Sequence, residues 1–228
     1  MKERFADREI AVDLIYKNEF STMDDLWCEG SPDMSVENQK LVLKTTFDRS
    51  PDCRFVMTAF IRKIFDGDLL VSFDAQDIDD QPHRNFNFFL HTTNGDGRDV
   101  YETRNERNGD YPNYHTMNNY LFTALNSDKT NPDGSSQFRF RMRRNPGFLL
   151  MKEAFGYRCE AQRWYGFKYL LSNGTVSMTI DDLPEQTYQW RDPDPLRSGY
   201  LGVRTYMSHL SIRRLKVFRV TDTISAAV

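Results

Sequence analysis

The chain has 228 residues, a length at which an all-β sandwich can fold as one unit and bury a substantial core. Hydrophobic residues make up 39% and aromatic residues 14%, and the formal net charge is -3, so no bulk positive charge is present to hold a nucleic acid or an anionic membrane. No run approaches the roughly 20 apolar residues of a membrane-spanning helix, and the opening MKERFADREI lacks the apolar centre of a secretory signal.

In chain order, the N-terminal 20 residues carry a weak helical pattern. Strand signals then follow one another: RFVMTAFIRK (54–63), LLVSFDA (69–75), NFNFFLH (85–91), FRFRMR (138–143) and LKVFRV (215–220), each rich in β-branched and aromatic residues and bounded by Gly, Pro, Asn or Asp. Turns separate them at Asp66–Asp68, Asn94–Gly97 and Pro132–Gly134. In YLLSNGTVSMTID, Asn173-Gly174 suits the two positive φ angles of a two-residue hairpin turn. Residues 153–163 have some helical character. No repeat or linker divides the chain, and many antiparallel strands with frequent turns imply one two-sheet β-sandwich of jelly-roll type over 1–228.

Cys28, Cys53 and Cys159 are few, distant and without CxxC spacing, so they read as buried thiols and not as a disulfide framework or zinc site. This suits the cytoplasm; a chain trimmed of its signal would read the same, which keeps a periplasmic or secreted location open. The acidic run DAQDIDDQ, Asp74–Gln81, lacks the EF-hand pattern and reads as a surface loop, so no metal and no cofactor is expected. There is no phosphate loop, nucleophile elbow or HExxH helix.

Two stretches carry chemistry. Of the 30 basic residues 21 are Arg, the cation whose planar fork matches a carboxylate or sulfate. In QFRFRMRRNPGF, Phe138, Phe140 and Met142 share one strand face and Arg139, Arg141 and Arg143 the other. Guanidinium groups stacked about 7 Å apart repel one another unless anions lie among them, either the protein's own carboxylates or a ligand's. The second stretch, RNERNGDYPNYHTMNNY (104–120), is denser in Tyr, His, Asn and Arg than a helix face or linker requires.

The order of WCEGSPDMSVENQKLVLK, FDGDLLVSFDAQ, RNFNFFLHTTNGDG, the Tyr/His/Asn stretch, the SNG hairpin and DPLRSGYLGVRTYMSHLSIRRLKVFRV resembles the concanavalin-A-like, galectin-like jelly rolls of bacterial polysaccharide-utilisation systems. The similarity includes a G-x-Y-P-x-Y-H element, here Gly109, Tyr111, Pro112, Tyr114 and His115. It implies a carbohydrate partner. Relatives of this architecture include polysaccharide lyases, oligosaccharide dehydratases acting on uronic acids, glycoside hydrolases and lectin-like binding modules, and fold alone does not choose among them.

β-Elimination from a 4-linked uronate needs a base for the proton beside the carboxylate, a cation or hydrogen-bond donor for the enolate, and an acid for the leaving oxygen. The two stretches supply all three: His115 as base, Tyr114 or Tyr120 as acid, and Arg107, Asn118 and Arg141 to hold the carboxylate, with Arg104, Tyr111, Arg139 and Arg143 around them. Loss of water in place of a sugar would make the same machinery a dehydratase. The expectation is that both stretches converge on one groove for an acidic oligo- or polysaccharide. In a regular strand His115 would face away from Tyr114 and Tyr120, so the scheme needs a loop near Asn113–Thr116; otherwise the site contains His115 with Tyr111, or the tyrosines without the His. His83, His91 and His209 are lesser candidates. Hydrolysis would fall to Glu102, Glu106 or Glu153, and a non-catalytic binding module would use Trp27, Trp164, Trp190 and the tyrosines as sugar platforms.

Overall fold

The structure, a computed structural model, describes residues 1–80, 85–183 and 187–221. Its strands are β1 (Lys2–Phe5), β2 (Arg8–Asn18), β3 (Leu26–Gly30), β4 (Met34–Glu37), β5 (Lys40–Lys44), β6 (Val56–Asp66), β7 (Leu69–Asp77), β8 (Asn85–Thr93), β9 (Asn118–Thr130), β10 (Ser136–Asn145), β11 (Leu149–Tyr157), β12 (Tyr165–Ser172), β13 (Thr175–Ile180), β14 (Thr187–Arg191), β15 (Ser198–Tyr206) and β16 (His209–Val220). All pair antiparallel. Two short 3-10 turns, Arg104–Glu106 and Tyr111–Tyr114, are the helical elements among the described residues. No helix there is long and apolar enough to cross a membrane.

The strands form two sheets. One is ordered β11-β10-β9-β8-β15-β6-β3; the other runs β1-β2-β16-β7-β12-β13-β14, with β5 on β16 and β4 on β5. The fold is therefore the all-β, two-sheet antiparallel sandwich expected from the strand alternation. Its core lies between the sheets, where Phe88, Tyr120, Phe122, Phe138, Phe140 and Met142 of the first meet Val71, Phe73, Phe167, Tyr169, Met178 and Val217 of the second. Period-two alternation then sends every second residue of each strand to an outer face.

Two local expectations are corrected. Residues 2–18 form the β1–β2 hairpin, where Phe5, Ile10 and Val12 bury while Lys2, Arg8 and Glu9 stay in water. Charged residues at the solvent positions of an edge pair gave that stretch its helical look. Likewise residues 149–157 are the edge strand β11, paired with β10 along Gln137–Arg144, and 158–163 follow without helix, with a turn at 161–162. The Asn173-Gly174 turn is as expected, with φ of 49° and 74° between the paired Ser172 and Thr175.

None of the three cysteines forms a disulfide. Only Cys159 is fully buried; Cys28 is partly so, and burial pushes its thiol up to about 12.

Candidate active site on the outer face of the seven-stranded sheet

Strand register sets three parallel rows across the outer face of this sheet. The central row is polar and runs Glu29, Thr58, Arg204, Asn87, Thr123, Arg141, Glu153. On one side lies an apolar row of Trp27, Phe60, Gly202, Phe89 and Leu121 that ends in Arg143. On the other lie Tyr206, Asn85, Leu125, Arg139 and Phe155.

An outer face with Trp27, Phe60, Phe89 and Leu121 must be covered, and the connection from β8 to β9 covers it. Val100, Tyr114 and Met117 pack into that row, and Trp27 stacks on Phe60 at 4.9 Å. The connection is fixed by one buried carboxylate. Glu29 accepts from Trp27 Nε1 at 3.1 Å, Tyr114 Oη at 2.7 Å, and Arg107 Nε and Nη2 at 2.9 and 2.7 Å. With Arg107 at 7% exposure and Glu29 at 0%, this pair is a structural clamp. Gly109 completes it: φ is +79°, and a Cβ there would lie 2.6 Å from the Glu29 carbonyl.

Beyond the clamp, Asp110 caps the Tyr111–Tyr114 turn by accepting from Tyr111 N. This 3-10 turn replaces a strand, and with His115 as its C-terminal cap it brings the Tyr111 and His115 rings to 5.0 Å between centroids. Both face the arginines. The Tyr111 hydroxyl lies 3.3 Å from Thr123 Oγ1, and its ring lies 4.8 Å from the Arg204 guanidinium. His115 stacks on Phe148 at 3.9 Å, and the opposite side of the assembly is Arg143, 3.8 Å over the Phe148 ring and donating to the Phe148 carbonyl.

The charges on this face do not balance. Among the described residues, the carboxylates within 4.0 Å of Arg139, Arg141, Arg143 and Arg204 are Glu153 and Asp110. Glu153 accepts from both Arg139 and Arg141, which hold its carboxyl below the usual range. Arg143 has no carboxylate partner among the described residues. Arg204, 2% exposed, donates to the Gly109 carbonyl, and its nearest carboxylate oxygen, Asp110 Oδ1, is 4.0 Å away. A buried guanidinium so thinly compensated is costly unless an anion completes it.

These cations also set the state of the imidazole. Partial burial, then Arg143 and Arg204, lower the His115 pKa, against an opposing pull from Asp110, so its neutral form dominates at neutral pH. Its Nε2 is enclosed without a hydrogen-bond partner. Burial raises the Tyr111 pKa, so the phenol keeps its proton.

The structure thus brings together six of the residues picked from sequence, Tyr111, His115, Arg139, Arg141 and Arg143 with Tyr114 beneath them, and leaves Arg104, Arg107, Asn118 and Tyr120 outside that group. Tyr114 and Tyr120 are correctly placed for stability and wrongly placed for proton transfer to a ligand, since both are fully buried. Tyr120 points between the sheets and donates to Asp192 at 2.6 Å. Arg107 is consumed by Glu29. Arg104 stacks on Tyr101 at 4.1 Å, and Asn118, which donates to Thr93 Oγ1, lines a cleft with Arg107 and Thr116. Two groups were missed, Arg204 and Thr123, neither of which the sequence pattern singled out. The pairing of β15 with β8 placed Arg204 at the centre of the face, and no local pattern announces that.

Other candidates also resolve. Trp27 is buried under the connection, Trp164 stacks with Arg213, and Trp190 packs toward the core, so none is a sugar platform on this face. His91 is buried with Nδ1 on the Leu196 carbonyl, His209 pairs with Asp79, and His83 lies outside the described residues. Glu106 pairs with Arg98, which leaves Glu106 and Glu153 engaged and not free as a hydrolytic pair. In the acidic run Asp74 binds Arg213 and Arg214, and Asp80 binds Arg158; no group able to hold a metal exists among the described residues, and Gln81 is not among these.

A family model described as a domain of unknown function matches residues 13–220. The chain belongs to the DUF1961 family. No curated protein matches it in sequence. Among solved structures, this DUF1961 chain is similar to a Bacillus subtilis protein of unknown function with a galectin-like fold, at 21% identity and TM-score 0.73, covering 96% of this chain and 98% of that one. It also shares its fold with the carbohydrate-binding module CBM66 of Bacillus subtilis (10% identity, TM-score 0.51, 84% and 93% covered) and a β-1,3-1,4-glucanase from a mouse hindgut metagenome (13%, 0.56, 90% and 98%). The DUF1961 chain therefore has the galectin-like sandwich that such binding modules and a glucanase also use. At these identities the likeness concerns fold alone.

Proposed function

We propose that the protein is a carbohydrate-active lyase that holds a uronate against the outer face of the seven-stranded sheet and cleaves it by β-elimination, or dehydrates it where the leaving group is hydroxyl. The observation that carries this reading is the pair Arg143 and Arg204, short of carboxylate partners and flanking His115 and Tyr111. The sugar carboxylate lies between the two guanidinium groups, which offset the charge that otherwise opposes loss of the neighbouring proton. Neutral His115 takes the C5 proton; the C5–H electrons form the C4–C5 double bond as the C4–O bond breaks; the Tyr111 hydroxyl gives its proton to the departing oxygen. Arg141, tied to Glu153, and Arg139 keep the field positive around the acid.

A non-catalytic carbohydrate-binding role is the second reading. It is favoured by the Tyr111 hydroxyl already resting against Thr123. One assay separates the two: incubation with uronate-containing oligosaccharides while following the ultraviolet absorbance of a 4,5-unsaturated product. Growth of absorbance supports elimination. Binding of the same oligosaccharides without it leaves only the binding role.

A further inference from the structure

A second ligand surface is built on the opposite side of the sandwich. The β1–β2 hairpin packs Phe5, Ile10 and Val12 against Leu70, Leu170 and Phe218 on the outer face of the nine-stranded sheet. Its turn stands beside β12, β13 and β14 and leaves a groove of about 620 Å³ between them. That volume is within the usual range of about 300–1,000 Å³ for small-ligand clefts.

Strand register fixes the floor. Leu170, Ser177 and Gln189 form one row and Ser172, Thr175 and Arg191 the next. A sheet face closed off by a hairpin would ordinarily be apolar; this one presents short hydroxyl side chains. Ser172 is a lining residue of the groove at 6% exposure, and its Oγ, itself enclosed, has no hydrogen-bond partner. An unpaired buried hydroxyl costs stability unless a ligand or water supplies the bond.

The rim is basic. Arg8 has Asp7 at 3.8 Å and Arg197 has Asp68 at 3.4 Å, but Arg191 has no carboxylate partner among the described residues. Hydroxyls and an amide at sheet spacing suit the ring hydroxyls of a sugar chain, and Arg191 suits one acidic substituent on it.

We infer that the groove between the β1–β2 hairpin and β12–β14 is a second, non-catalytic site for an acidic oligosaccharide, with Arg191 holding its carboxylate. The choice of an acidic sugar rests on the function proposed above; the groove and its unpartnered Ser172 do not. Two sites on opposite faces would let one chain grip a polysaccharide at a point remote from the reacting sugar, raising its effective concentration there.

The test is a titration of ¹⁵N-labelled protein with an oligogalacturonate and with its methyl-esterified, uncharged counterpart. The acid form should shift amides of 172–177 and 189–191 as a set with its own saturation, separate from amides near Tyr111, His115 and Thr123. Arg191→Glu should weaken the first set at least tenfold while leaving the second set and turnover of a short substrate unchanged. Shifts confined to the His115 face, an Arg191→Glu variant that binds as tightly as the parent, or equal binding of the uncharged sugar would each overturn the inference. If shifts appear only in the groove and no unsaturated product forms, the second site stands and the proposed elimination falls.

Discussion

The Tyr114 hydroxyl donates to Glu29 at 2.7 Å, and the same carboxylate is gripped by both Nε and Nη2 of Arg107, so one fully buried acid pins two points of the 104–120 stretch to strand β3. That is the main structural role of a segment whose composition reads as purely chemical. Beyond the clamp, the rings of Tyr111 and His115 are turned to the arginine face, beside Asp110.

Glu29→Ala strands the buried Arg107 guanidinium and should cost about 3–5 kcal/mol, the usual result of removing one member of a buried pair. Tyr114→Phe should cost about 1.5–3 kcal/mol through the lost bond to a charged group. Chemical denaturation followed by Trp fluorescence measures both, with Trp27 reporting from inside the clamp. A Glu29→Ala protein as stable as the parent would show that the clamp does not hold the segment.

Gly109→Ala should also destabilise, by more than the roughly 1 kcal/mol of an ordinary backbone misfit, because the positive φ and the 2.6 Å approach to the Glu29 carbonyl penalise it together. Denaturation midpoints for Gly109→Ala beside Gly134→Ala provide the comparison, since Gly134 shares the positive φ but has open space around it.

His115→Ala should lower turnover by roughly 10²–10⁴-fold with little change in affinity, and Tyr111→Phe should lower it too, while Tyr120→Phe should act on stability alone. Initial rates of unsaturated-product formation on all three check this. Full activity in Tyr111→Phe would remove that phenol as the acid.

If His115 is the base as proposed, burial and two arginines, which lower its pKa from the ordinary value of about 6.5, should place the acid limb of the rate profile below that value. Arg143→Gln removes one cation and should move the limb to higher pH while weakening binding about tenfold, an effect that shrinks as salt is added. The pH–rate profiles of parent and variant settle the direction.

Folding stability should fall as pH drops through about 6.5. His91 and His115 both have native pKa values lowered chiefly by burial, so the unfolded chain binds more protons in that window and stability rises with pH across it. Urea midpoints between pH 5 and 8 should rise accordingly, with part of the slope lost in His91→Gln.

Much of the fold is written locally. The alternation of Phe138, Phe140 and Met142 with Arg139, Arg141 and Arg143 dictates which face of β10 is core, and Asn173-Gly174 dictates its hairpin, because side-chain period and turn dihedrals depend on neighbours in the chain. The edge pairs β1–β2 and β11 are less legible, since a strand with one wet face carries the same charged residues as a helix. What only the tertiary structure decided is the company each polar group keeps. Arg107 and Arg143 look alike in sequence, yet Glu29, 78 positions from Arg107, neutralises one and no described carboxylate reaches the other. Arg204 goes unremarked in the sequence and lies at the centre of the candidate site because β15 pairs with β8 and β6. Charge balance and solvent access are set by contacts distant in sequence, and those exist only once the sheets have assembled.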